Sequence, residues 1–88
     1  MRIALATCSD NPEINYNLGA ILALMGGWRD AIPALDRCLS LSRNANAYNN
    51  RGICRQALGQ AEDAVADFSS AIDLRPDHFA ARWNRMLT

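Results

Sequence analysis

The chain contains no lysine: its nine basic residues are all arginine, and nine acidic residues balance them to a formal net charge of zero. A neutral chain carries no electrostatic footprint for a phosphate backbone or an anionic bilayer, so neither nucleic acid nor membrane is expected as a partner. Long apolar runs are missing as well. The longest, Ala20 to Met25, is far short of the ~18 residues that a membrane-spanning helix requires. Ile3 to Ala6, the run ahead of Cys8, is shorter than the ~7 residues of a signal-peptide core, which argues against secretion. Cysteine is scarce. Cys8, Cys38 and Cys54 form an odd set without CxxC spacing, so neither a disulfide framework nor a zinc site is expected. They read as free thiols acting as small apolar residues, which fits a reducing, cytoplasmic setting.

Catalytic equipment is equally thin. There is one histidine, His78, with no Ser/His/Asp arrangement around it and no phosphate-cradling glycine loop. His78 reads as a surface residue in the first turn of a helix. Asp63 and Asp67, four apart, read as a solvated helix face with mild mutual repulsion. No enzyme, cofactor or metal site is expected.

What the chain does contain is itself, repeated. A shift of 33 lays Asn17, Gly19, Gly26, Asp30, Ala31 and Leu41 on Asn50, Gly52, Gly59, Asp63, Ala64 and Leu74. A shift of 34 lays Ala47, Asn50 and Arg51 on Ala81, Asn84 and Arg85. Self-similarity at this period marks an array of helical hairpins. Asn11-Pro12-Glu13 starts the first helix with a cap, a proline and an acid in the first turn, and Gly26-Gly27 ends it. A second helix is predicted from Trp28 to Leu41, with a local distortion at Pro33. A third is predicted over Ala47–Leu58, a fourth over Ala61–Leu74, and a fifth from near His78, capped by Asp77.

Tyr48, Gly52, Ala64, Phe68, Ala71 and Pro76, with Gly59 in the joining turn, stand at the spacing of a tetratricopeptide repeat, and the chain resembles that family. Gly52 and Ala64 fall where a side chain would hold the two helices apart, and Phe68 and Leu74 fill the space left. The first copy is weaker: Asn15 replaces the aromatic and Arg43 the closing proline. Arg51 and Arg55 stand where the family carries apolar or aromatic residues, and their charged heads are expected in water. The resemblance implies an all-α solenoid of two hairpins plus one trailing helix, wound as a short right-handed superhelix. Its parts are a stub over 1–11, repeats over 12–43 and 44–77, and the first helix of an incomplete repeat over 78–88.

The same resemblance implies a module that binds a protein or peptide in a concave groove lined by the first helix of each hairpin. Asn17, Asn50 and Asn84 recur at one groove position, where amides can pair with successive peptide groups of an extended chain. Tyr16, Asn49 and Trp83 form the adjacent row, and Ile53 lies beside Asn50. The remaining groove positions fall to Glu13, Ala20 and Ala23 on the first helix, to Asn46 and Gln56 on the third, and to Ala80 and Leu87 on the fifth. With no lysine, a clamp for a terminal carboxylate is not expected. The last helix shows Phe79, Trp83, Met86 and Leu87 without a following helix to cover them. That motivates two alternatives: self-association into a homo-oligomer through the terminal helix, or a non-catalytic fragment of a larger regulatory protein.

Overall fold

The computed structural model describes residues 9–88, so the expectations for the stub and for Cys8 lie largely outside the described residues. Five helices follow one another: α1 (Pro12–Leu24), α2 (Trp28–Leu41), α3 (Ala45–Ala57), α4 (Ala61–Leu74) and α5 (Phe79–Leu87). α1 pairs with α2 and α3 with α4 as antiparallel hairpins. α2 packs on α3, α4 on α5, and α1, α3 and α5 lie side by side. No strand occurs among the described residues, and no helix there is long and apolar enough to cross a membrane.

Both hairpins turn by the same device. The N–H of Gly27 donates to Leu22 O (2.8 Å) and that of Gly26 to Ala23 O (3.0 Å). Gln60 N–H to Arg55 O (2.8 Å) and Gly59 N–H to Gln56 O (3.1 Å) repeat the pattern 33 residues on. These are Schellman turns, which need a left-handed residue, and Gly26 and Gly59 supply it at φ 79° and 81°. α2 and α4 start directly out of these turns without a side-chain cap.

Starts elsewhere are capped by side chains. Asn11 Oδ1 accepts from Glu13 N–H at 2.9 Å, as the sequence indicates. α3 begins two residues before the predicted Ala47, because Asn44 adopts an extended conformation and accepts from Ala47 N–H at 3.1 Å. α5 is capped by His78 and not Asp77: Ala81 N–H donates to His78 Nδ1 at 3.1 Å. His78 is therefore buried, not a surface residue. α2 continues as one α-helix through Pro33. Pro33 lacks the N–H that would bond the Arg29 carbonyl, and both residues are exposed, so the lost bond lies outside the core.

The core is built mostly from small residues, with Leu22, Leu35, Phe68 and Ile72 as its large ones. Leu22, Ala31, Leu35, Cys38, Ala47 and Cys54 form one cluster, and Ala45, Ala71, Ile72 and Ala81 a second. Leu35 and Phe68, the largest fully buried side chains, each lie against a glycine of the facing helix. A Cβ on Gly19 would lie 2.6 Å from Leu35 Cγ, and one on Gly52 would lie 2.5 Å from Phe68 Cε1. At the position where the family carries an aromatic, the buried Asn15 grips the chain ahead of α1. Its Oδ1 accepts from Ser9 N–H and its Nδ2 donates to Ser9 O, both at 2.7 Å.

Phe68 is a rigid, fully buried ring and cannot swing aside from a new methyl. Replacing a helical glycine by alanine gains ~1 kcal/mol of helix propensity, but overpacking costs ~1–3 kcal/mol, so the clash dominates. Gly52→Ala is therefore expected to lower stability by up to ~2 kcal/mol, read as a fall in the urea midpoint at unchanged slope. A stabilised Gly52→Ala would show that the close approach is not limiting.

Candidate functional site

α1, α3 and α5 present a row of side chains along one face of the array, and α3 sits between two different neighbours. Toward α5 its contacts are polar. His78 Nδ1 is occupied as an acceptor, so Nε2 carries the proton and donates to Asn46 Oδ1 (2.7 Å). Asn84 Nδ2 donates to Asn49 Oδ1 (3.0 Å), and Gln56 Nε2 donates to Thr88 Oγ1 (2.8 Å). Asn46, Asn49 and Gln56 thus hold α5 on α3, one bond for each turn or so of helix.

The predicted rows are narrowed by this arrangement. Asn49 is only 7% exposed and its carbonyl is engaged, so it offers the groove little. Asn84 is half-buried with one amide proton already donated, so the three asparagines do not form a uniform free ladder. Asn17 is exposed and Asn50 half-buried, and neither makes a side-chain hydrogen bond among the described residues. Tyr16 is half-buried against the first core cluster. Trp83 is 59% exposed and continues into an apolar strip with Phe79 and Met86 on the outer side of α5.

Toward α1 the neighbourhood of α3 is apolar and open. A cavity of about 390 Å³ lies between α1, the start of α2, and α3, lined by Ala20, Ala23, Leu24, Trp28, Asn50 and Ile53. It contains the predicted Asn50 and Ile53 and not Trp83 or Asn84, which lie on the far side of α3. Leu24 and Trp28 were not legible as groove residues. A signal for Leu24 exists in Ala20–Met25, which is apolar on every face although only one face can meet the core.

The charged side chains of α3 point away from this cavity. At about 100° per residue, Arg51 and Arg55 fall on the opposite side of α3 from Asn50 and Ile53. Their heads are drawn into ion pairs and largely withdrawn from water. Arg51 donates from Nε to Asp67 Oδ2 (3.0 Å) and from Nη2 to Oδ1 (2.7 Å), and its Nη1 reaches Asp36 Oδ1 at 2.8 Å. Arg55 Nη1 adds a bond to Asp67 Oδ2 at 3.0 Å, and Tyr48 lies 5.5 Å from Arg51 across its ring face. Asp67 is 2% exposed, so it is a buried hub joining α3 to α4 and not half of a solvated pair with Asp63. Burial works against the charge on Arg51, but the hydrogen bonds and charges of Asp67 and Asp36 overcome it and raise the guanidinium above its ordinary value.

Both described cysteines sit where the thiolate is disfavoured. Cys38 and Cys54 are free and buried, and burial raises both thiols, Cys54 to about 11 with the charge of Asp67 adding to the effect.

Residues 10–77 match the model of the tetratricopeptide repeat, and the chain belongs to that family. Such repeats are typically non-catalytic modules for protein–protein interaction. The chain is also similar to Protein NPGR1 of Arabidopsis thaliana, 27% identical over 67 residues, which are 75% of this chain and 10% of that protein. It therefore spans about a tenth of the length of this curated relative.

Removing Asp67 strands two partly buried guanidiniums. Asp67→Ala is expected to cost about 3–5 kcal/mol, the range for breaking a buried charged pair from one side. Asp36→Ala, at a half-exposed carboxylate, should cost ~1 kcal/mol or less. Denaturant titration of both variants checks the order, and equal losses would show that Asp67 is not the hub.

Proposed function

We propose that this chain binds a segment of another protein along the face formed by α1, α3 and α5, with the α1–α3 half making the principal contact. The single observation that carries this reading is the apolar cavity beside Asn50, whose amide has no partner among the described residues. An apolar recess with one convergent amide is the composition of a recognition site. Asn17 and Asn50 serve as backbone readers, Tyr16 and Ile53 supply apolar contact, and Asn84 and Trp83 on α5 act at the margin, with Asn49 holding Asn84 in place. The free thiols of Cys38 and Cys54 suit a reducing cytoplasm as the setting.

Asn50→Ala tests this on any partner captured from native cytoplasm and reduced to its binding peptide. Loss of one hydrogen-bonding amide should weaken binding about fivefold, near 1 kcal/mol, with the fold intact. Unchanged affinity would remove Asn50 from the contact.

A second reading is favoured by the outer face of α5, where Phe79 is 78% and Met86 68% exposed beside Trp83 and Leu87. Such a strip suits self-association. On this reading light scattering across a dilution series shows a concentration-dependent mass, and Trp83→Asp abolishes it; a constant monomer mass rejects it.

A further inference from the structure

We infer that the cavity between α1, α2 and α3 is an anchor pocket for one bulky apolar side chain of an uncharged, extended segment of a partner protein. This rests on the groove reading above and specifies its occupant. The cavity, about 390 Å³, lies at the small end of the ~300–1,000 Å³ typical of ligand pockets. It has room for a side chain or two, not for a helix.

Its origin is local. Ala20 and Ala23 leave the space that Ile53 and Gln56, their counterparts 33 residues on, do not leave beside α5, where Gln56 reaches Thr88. The walls are Leu24, Ile53 and the ring of Trp28, and no lining residue is charged. Arg51 and Arg55 are held on the far side of α3 by Asp67 and Asp36, so α3 brings no cation to the rim. A carboxylate or ammonium entering here would lose its water without gaining a counter-charge, whereas a leucine or methionine side chain gains from the same transfer.

Asn50 sets the backbone conformation of the occupant. Its amide offers a donor and an acceptor at the rim, and an extended segment has peptide groups free to meet them along its whole length, whereas those inside a helix bond to each other.

The test is an NMR titration of the labelled full chain with acetyl-Ala-X-Ala-amide peptides, where X is Leu, Met, Gly, Asp or Arg. The Leu and Met peptides are expected to shift the Trp28 indole N–H, the Ile53 methyls and the Asn50 side-chain amide. Their apparent Kd should be roughly tenfold below those of the Gly, Asp and Arg peptides. Ala23→Leu and Ala20→Met, both at half-buried positions, should fill the pocket and abolish these shifts while the remaining spectrum stays that of the folded chain. The pocket is overturned if the Asp or Arg peptide shifts these resonances as strongly as Leu. It is equally overturned if the Leu peptide shifts none of them, or still binds a folded filled variant. Binding of a captured partner that depends on Asn50 but ignores Ala23→Leu would leave the groove standing and remove the pocket alone.

Discussion

The structure depends on two close approaches of helix to helix, one at Gly19 against Leu35 and one at Gly52 against Phe68. Each places a backbone without a side chain directly on the largest buried residue of its partner. The paired Schellman turns at Gly26 and Gly59 then return the chain at the same angle both times. Two hairpins of equal shape stack with their first helices adjacent, and adjacency of α1 and α3 is what creates a shared face at all. A wider hairpin would separate those helices and leave no cavity between them.

Within that shared face, chemistry and not shape distinguishes the two sides of α3. Glu13, Tyr16, Asn17 and Ala23 on α1 are the counterparts of Asn46, Asn49, Asn50 and Gln56 on α3. Three of those α3 residues are closed by hydrogen bonds to α5, which seals that junction and positions a short helix of nine residues. A nine-residue helix is too short to be stable alone, so these bonds and the buried Ala81 and His78 are what hold it. The α1–α3 junction has no equivalent bonds. It stays open because Ala20 and Ala23 stand on α1 where α3 carries Ile53 and Gln56, which leaves a recess between Leu24, Trp28 and Ile53.

Much of this was legible in the chain. The 33-residue shift, the glycine pairs and the apolar faces are local or periodic features, and they locate the helices to within about two residues. Helix caps were harder, because Asn44, Asp77 and His78 are all plausible caps by residue type and only backbone conformation selects among them. Asn49 was read as groove surface because its counterparts are Tyr16 and Trp83. Its burial depends on Asn84 arriving 35 residues later from a helix whose docking has no sequence pattern. The ion cluster left a trace that was open to a different interpretation. Asp67 lies on the same helix face as Ala64, Phe68 and Ala71, so an acid there needs cations opposite, and Arg51 and Arg55 are the two residues of α3 out of place in the family pattern.

That cluster also bears on what the groove can recognise. A buried ionic hub is a poor way to add stability, since apolar residues of similar volume do as well once desolvation is counted. Its distinguishing property is direction. The fork of Arg51 meets Asp67 through two bonds and Asp36 through a third, a geometry that a one-residue slip of α3 against α4 or α2 would destroy. The cluster therefore fixes the rotation of α3 about its own axis. That rotation sets Asn50 and Ile53 along the cavity, turns Asn49 and Gln56 toward Asn84 and Thr88, and keeps both cations on the far side. An apolar pair at 51 and 55 would fill the same volume but would leave that rotation to packing alone. The absence of any α3 cation from the cavity and the orientation of Asn50 beside it are thus consequences of a charge network that does not line it.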